Sequence, residues 1–159
     1  MVYSGAKWEK TTGASMLLGE FEHTLDDKNR LTLPAKVRQA LGGGVVVTRG
    51  MDGCLFVFTR EGWDEFVVSR LQGLNPFSRE ARQMSRFMFA GATETEVDKQ
   101  GRIMLPPALI EHAALGRDVV VAGVRDHVEI WDRAAWRKQL KEVEGSVELV
   151  AERLAAKQD

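Results

Sequence analysis

The chain carries one charged motif twice. The first copy runs from Asp26 to Pro34 and the second from Asp98 to Pro106, so the offset is 72 residues (98 − 26). Each copy places an aspartate four residues before an arginine. A carboxylate at that distance can accept backbone N–H groups and pair with the guanidinium. A guanidinium with free donors can also bind phosphates or guanine edges. The motif therefore predicts closed turns, phosphate or base recognition, or both.

The residue types within each motif suggest distinct roles. Asp26 and Asp98 are expected to hold the turns, because a charge pair is more often structural than functional. Asn29 and Gly101 occupy the same place, directly before the arginine. Both residue types tolerate positive φ, so we expect a left-handed residue there. For the two arginines, a structural and a binding role both stay open.

The surroundings of the two motifs differ in charge. The second motif has Gln100 where the first has a lysine, and the segment after it carries Glu111. An anionic polymer would therefore meet the first motif, while Arg102 would mainly support the second turn. The basic residues in and after the first motif are Lys28, Arg30, Lys36 and Arg38.

Period-two alternation around the motif predicts β-strands. Phe21, His23 and Leu25 alternate with polar residues before the first motif, and Leu31 and Leu33 resume the alternation after it. The second half repeats this order. A unit of strand, turn, strand, helix and two further strands therefore occurs twice.

Proline and glycine mark the helices of each unit. Pro34 is expected to open a helix that stops before the glycines at Gly42–Gly44, and its counterpart is predicted over Ala108–Ala114. A C-terminal helix is predicted from Ala134, with a break at Gly145–Ser146.

Two helices are predicted between the units. The first covers Trp63–Leu71, and the second is expected to be capped by Asn75. Apolar residues of the second recur at helical spacing, at Phe77, Ala81, Met84 and Met88. Its basic stripe is more typical of a solvated face or a subunit contact than of a DNA contact; it comprises Arg79, Arg82 and Arg86.

Neither unit is large enough to close a core alone. Each has about 45 residues, near the size below which isolated domains fail. We therefore expect an α+β protein in which two half-repeats interlock as a pseudo-twofold, β-barrel-like body with outer helices. The predicted division is a polar N-terminal extension (1–15), a first repeat (16–62), connecting helices (63–90), a second repeat (91–133) and a C-terminal helical segment (134–159).

Composition excludes several classes of protein. The 159 residues carry a net charge of −1 and one cysteine, so an intrachain disulfide is impossible and a reducing cytoplasm is expected. No apolar run approaches the roughly 20 residues of a membrane span. Cys54 is expected to be a buried thiol, and no catalytic set, cofactor site or metal site is predicted. The histidines look isolated; they are His23, His112 and His127.

The doubled motif resembles the MraZ family. The resemblance rests on Gly19-Glu20-Phe21, on the stretch Asp26–Lys36, on the second motif before Pro106, and on Trp131-Asp132 with Trp136. It covers residues 16 to about 143. Asn29 departs from the glycine that the family more often has.

The resemblance implies an AbrB-like swapped-hairpin fold and a transcriptional regulator in the cytoplasm, associated with the nucleoid. It implies binding to short direct repeats upstream of the division and cell-wall gene cluster, usually as a repressor of its own operon, by a ring-shaped homo-oligomer. Lys28 and Arg30 would contact the double-stranded DNA. The alternative is an oligomeric protein-interaction or antitoxin-like module without specific DNA binding.

Overall fold

A computed structural model describes residues 16–158, and the predicted extension over residues 1–15 lies outside this range. The described chain is α+β, as predicted. Its first half contains β1 (Leu17–Thr24), β2 (Arg30–Thr32), α1 (Ala35–Leu41), β3 (Gly44–Arg49) and β4 (Leu55–Thr59). The connecting region contains α2 (Arg60–Trp63), a π-helical turn (Asp64–Val68), α3 (Ser69–Leu71), α4 (Arg79–Ser85) and a second π-helical turn (Arg86–Ala90). The second half contains β5 (Thr93–Glu96), β6 (Arg102–Met104), α5 (Pro107–His112), β7 (Asp118–Arg125), β8 (Val128–Asp132), α6 (Arg133–Glu144) and α7 (Val147–Gln158).

The strands form one antiparallel sheet and a separate ribbon. The sheet has six strands in the order β1-β7-β8-β4-β3-β5, and β2 pairs with β6 in the two-stranded ribbon. Within residues 16–158, β1 and β5 are both edge strands, so the sheet does not close. The predicted barrel-like body is therefore corrected to an open sheet with a ribbon beside it.

The two halves exchange their first strands. β1 pairs with β7 of the second half, and β5 pairs with β3 of the first. Across the centre, β4 pairs with β8 and β2 with β6. These pairings are related by a pseudo-twofold, since each strand has its counterpart in the other half. The halves therefore interlock, as expected for units too small to close a core alone.

Side chains alternate between two apolar layers. One layer lies between the sheet and the ribbon, where Leu31, Ile103 and Val57 are at most 1% exposed. The other contains Phe58 and Met88 and includes side chains of the connecting helices. Because the sheet is buried on both faces, its central strands are almost continuously apolar.

Most helices lie where proline and glycine indicate. α1 begins directly after Pro34 and ends before Gly42, whose φ is 78°. α5 covers Pro107–His112, slightly earlier than predicted. The predicted break near Gly145 is confirmed, because it separates α6 from α7.

The second connecting helix starts later than predicted. Ser78, not Asn75, caps α4 by accepting a hydrogen bond from the backbone N–H of Ala81. Asn75 instead forms a local turn, because its Oδ1 accepts from the N–H of Phe77 at 2.9 Å. Phe77 therefore precedes the helix and is 89% exposed. The basic stripe is solvent-exposed in the single chain, which fits a solvated face and a subunit contact alike.

His127 is not isolated, contrary to expectation. It is buried against Phe56, Phe58 and Phe66, and its ring nitrogens lie 2.8 Å from Asp126 and 3.2 Å from Glu129. Burial alone lowers the pKa of His127, but the hydrogen bonds to the two carboxylates outweigh it. The net pKa is raised above its ordinary value.

A raised pKa makes the contribution of His127 to stability depend on pH. This contribution should be complete below about pH 6.5, where the side chain is charged in both the folded and the unfolded state, and should be lost as pH rises through the folded pKa. We expect the melting-temperature difference between the unmodified protein and His127→Gln to be largest near pH 5 and to shrink toward pH 9, as scanning calorimetry would measure. A difference that grows with pH would contradict the raised pKa.

Candidate nucleic-acid interface

The first charged motif forms a closed turn between β1 and β2. Asp26 Oδ1 accepts hydrogen bonds from the backbone N–H groups of Lys28 at 2.9 Å and Arg30 at 2.8 Å. Arg30 Nε donates to Asp26 Oδ2 at 2.7 Å. Asn29 has a φ of 60°, so the expected left-handed residue is present. The carboxylate of Asp26 therefore closes the turn by accepting all three hydrogen bonds.

The second motif has the same geometry. Asp98 Oδ1 accepts from the N–H groups of Gln100 and Arg102, both at 2.9 Å, and Arg102 Nε donates to Asp98 Oδ2 at 2.8 Å. Gly101 has a φ of 79°. The backbone N–H of each arginine is the main cause that lowers the pKa of each aspartate, which keeps both carboxylates charged near neutral pH.

Among the described residues, neither Arg30 nor Arg102 has a hydrogen-bond partner for its outer nitrogens. Within residues 16–158, Arg30 and Arg102 use only Nε to bind a side chain, and no hydrogen bond forms from their Nη atoms. Their side chains are also equally accessible, at 28% and 26%. The two turns therefore hold their arginines alike, with the donor pair that binds phosphates or guanine still available.

The ribbon brings the two turns together. Arg30 lies opposite Met104, and Thr32 lies opposite Arg102. Between them, Leu31 and Ile103 point into the core, so the other four side chains share the outward face. Two further bonds extend the pairing, from Leu33 N to Gly101 O and from Leu105 N to Asn29 O, both at 2.9 Å.

Arg38 lies beside the second turn, not the first. Its Nη1 donates to the carbonyl oxygen of Gln100 at 3.3 Å. A Cβ atom on Gly101 would lie 2.6 Å from Arg38 Cδ, so the guanidinium stem packs over the turn. The interlocked halves cause this, because they place α1 against the motif of the other half. Because Arg38 follows the first motif in the sequence, it was expected to act with that motif. The structure corrects this expectation, since Arg38 contacts the second turn.

This position increases the difference in charge between the turns. The first turn contains two acidic and two basic residues, whereas the second contains Asp98 with Lys99 and Arg102. The motif residues alone give the first turn a net charge of 0 (2 − 2) and the second a net charge of +1 (2 − 1), and Arg38 raises the second to +2. The asymmetry expected from sequence neighbours is therefore reversed in space.

Lys36 lies on a different side of α1. Residues two apart on a helix do not share a face, so Lys36 and Arg38 point apart. Lys36 lines a cleft of about 850 Å³ together with Leu17, Arg60 and Glu96. The four predicted basic residues thus occupy three places: Lys28 and Arg30 at the first turn, Arg38 at the second, and Lys36 at the cleft.

Sequence reasoning missed the outward pair Thr32 and Met104. Both are exposed on the ribbon, and they occupy equivalent positions in the two motifs. The sequence does carry a signal for them, because each lies between two apolar residues of a period-two pattern in its motif. Only the pairing of β2 with β6 shows that they lie between the two arginines.

The other candidate residues have structural surroundings. Cys54 is buried, its Sγ lies 3.2 Å from the carbonyl oxygen of Met51, and burial raises the pKa of the thiol. Burial lowers the pKa of His23, and His112 packs edge-on against Phe87. In the part of the chain that the structure describes, no three histidine, cysteine or acidic side chains cluster as metal ligands.

Comparison with known proteins agrees with the doubled geometry. A family model described as "MraZ protein, putative antitoxin-like" matches residues 16–87 and again residues 88–157. The chain belongs to the MraZ family. The MraZ repeat boundary thus falls within the second π-helical turn.

Named relatives from this family cover nearly the same length. The "Transcriptional regulator MraZ" of Moorella thermoacetica is 48% identical over 140 residues, which is 87% of this chain and 96% of the relative. The protein of that name from Heliobacterium modesticaldum is 49% identical over the same shares of both chains. That of Roseiflexus castenholzii is 45% identical, over 88% of this chain and 97% of the relative. None of the helices between residues 16 and 158 combines the length and hydropathy of a membrane-spanning segment.

Proposed function

We propose that this protein is a sequence-specific, DNA-binding transcriptional regulator. The observation that carries the proposal is the pair of identical turns on one short ribbon, each with an arginine whose outer nitrogens bind no residue in the described part of the chain. A two-stranded antiparallel ribbon fits the major groove of DNA, and arginine binds guanine there through two donors. The printed names of the relatives, which are transcriptional regulators, support the same conclusion.

The basic residues would divide the contacts between bases and phosphates. Arg30 and Arg102 lie on the outward face of the ribbon, where they would reach guanine edges. Lys28 is exposed at the first turn and Arg38 lies over the second, where each would meet a phosphate of the bordering backbone. Lys36 lies on another face and would contact only a more distant phosphate. We thus assign Arg102 a binding role in addition to the structural one.

The swapped-hairpin fold of AbrB-type regulators is part of the proposal. The exchange of β1 and β5 between halves and the central ribbon support it. Such a fold places two turns on one face although they are 72 residues apart in sequence. The regulator would thereby read DNA as one unit, not as two independent loops.

A ring-shaped homo-oligomer would explain how a chain of net charge −1 binds DNA. Successive subunits would each present one ribbon to one direct repeat, and avidity would raise affinity by about 10²–10⁴. Helix α7 is exposed throughout its described side chains. The exposed apolar residues Val147, Val150 and Leu154 are spaced three and four residues apart there and offer a surface for another subunit.

The targets would be short direct repeats upstream of the division and cell-wall gene cluster, including the gene for this protein. Repression of that operon, in the cytoplasm and at the nucleoid, is the corresponding role. We expect a duplex from the upstream region to be retarded at low salt, with an association constant that falls steeply as salt rises. A duplex of the same length and composition in shuffled order is the control. Absence of retardation at low salt would exclude the regulator.

A second candidate is an oligomeric protein-interaction module of the antitoxin type. The exposed apolar stripe on α7 and the words "antitoxin-like" in the family description favour it. Such a module would meet a protein through apolar side chains, so its binding would depend only weakly on salt. The salt series described above therefore separates the two candidates.

A further inference from the structure

The outward face of the ribbon carries an apolar centre between its arginines. Met104 is 56% exposed beside Arg30, and Thr32 is exposed beside Arg102. The four side chains form a two-by-two array in which each arginine lies opposite one residue with a terminal methyl group and two residues along its strand from the other. Since Thr32 and Met104 are related by the 72-residue offset, the array follows the pseudo-twofold of the halves.

The structure of the ribbon does not require these two side chains. The inward residues Leu31 and Ile103 are 0% and 1% exposed and supply its packing against the core. An exposed methionine beside two arginines gains nothing from solvent, because its apolar area stays in contact with water. A ligand that covers this face would remove that area from water.

Apolar groups in the major groove have one specific partner among the bases. Thymine alone presents a methyl group there, at C5, and apolar side chains and the methyl of threonine contact it. The arginines beside Thr32 and Met104 would fix the ribbon in the groove. The same geometry then brings both methyl-bearing side chains to neighbouring base pairs.

On the basis of the proposed function, we infer that Thr32 and Met104 determine specificity by contacting thymine methyl groups next to the bases that the arginines bind. Met104 has the longer, more adaptable side chain and would bury more of a methyl than Thr32. The two halves of the ribbon would therefore discriminate thymine to different degrees. The readout is a property of the outward face alone and requires no change in the fold.

Removal of the methyl group from the DNA tests the inference directly. A duplex from the upstream region would be prepared with thymine and, in parallel, with uracil, which lacks only the C5 methyl. We expect the unmodified protein to bind the uracil duplex about fourfold more weakly for each methyl buried, the factor that corresponds to about 0.8 kcal/mol. The variants are Met104→Ala and Thr32→Ser, of which the second removes a methyl and keeps the hydroxyl.

Each variant should bind the thymine duplex more weakly and respond less to uracil than the unmodified protein does. Unchanged melting temperatures would show that the exposed side chains do not hold the fold. Equal binding of both duplexes by the unmodified protein would overturn the inference without contradicting the proposed function as a regulator. Variants that keep the full preference for thymine would also overturn it, by assigning the effect to DNA shape. Failure to bind either duplex at low salt would contradict the proposed function itself.

Discussion

Replacement of Arg30 by alanine is expected to weaken DNA binding by about 1–3 kcal/mol, the usual cost of losing a direct base contact. The slope of log affinity against log salt should fall by about 1, because one cation leaves the interface. Both effects arise from the Nη atoms of Arg30, which lie on the outward face of the ribbon and form no hydrogen bond within residues 16–158. Retardation titrations at several salt concentrations would measure them.

Arg102→Ala is the informative comparison. Both arginines bind their aspartate through Nε, at 2.7 and 2.8 Å, and have nearly the same exposure, 28% and 26%. The melting temperature should therefore fall by the same amount in both variants, and Arg102→Ala should also weaken DNA binding. Lys138→Ala on α6 removes one positive charge from an exposed helix position that has no assigned role, and should leave the affinity nearly unchanged.

Two results would contradict this account of the turns. Full DNA affinity in Arg30→Ala would show that the first turn is not part of the DNA interface. If Arg102→Ala lost stability but kept full affinity, the second turn would be only a structural twin of the first. Calorimetry run beside the titrations separates a folding defect from a lost contact.

Leu31→Ala is expected to lower the free energy of unfolding by about 2–5 kcal/mol. Leu31 is fully buried, lies opposite Ile103, and forms a β-bridge with Leu25. Its truncation would leave a cavity where the ribbon meets the core. Urea denaturation followed by tryptophan fluorescence would measure the loss.

Thr32→Ala provides the matched control on the same strand. Thr32 points outward and is exposed, so its truncation should change the free energy of unfolding by less than about 0.5 kcal/mol. An equal loss in both variants would mean that the ribbon is not anchored through its inward face. A loss confined to Leu31→Ala would show that the core holds the DNA-contacting face in place.

Local features could be predicted from the sequence because their causes are local. The closed turns follow from an aspartate four residues before an arginine, since all bonds form within one loop. The left-handed Asn29 and Gly101 follow from residue type, and the end of α1 follows from the glycine after it. The late start of α4 escaped prediction because Asn75 and Ser78 are both good caps, and packing decides between them.

Non-local features could not be predicted in the same way. The number of sheet edges depends on whether β1 and β5 meet, and hydrophobic alternation is the same in an open and a closed sheet. The carboxylate partners of His127 are its neighbours at 126 and 129, but their contact depends on the bend between β7 and β8. That bend and the aromatic side chains around the ring belong to the tertiary structure.

The sequence by itself determined the repeat, the chemistry of each turn and the need for two halves to share one core. Only the tertiary structure decided which basic residues meet. Interlocked strands placed Arg38 over the second turn, and the pairing of β2 with β6 placed Thr32 and Met104 between two arginines. The physical reason is that residue spacing determines contacts within a turn, whereas contacts between distant segments depend on how a shared apolar core is closed.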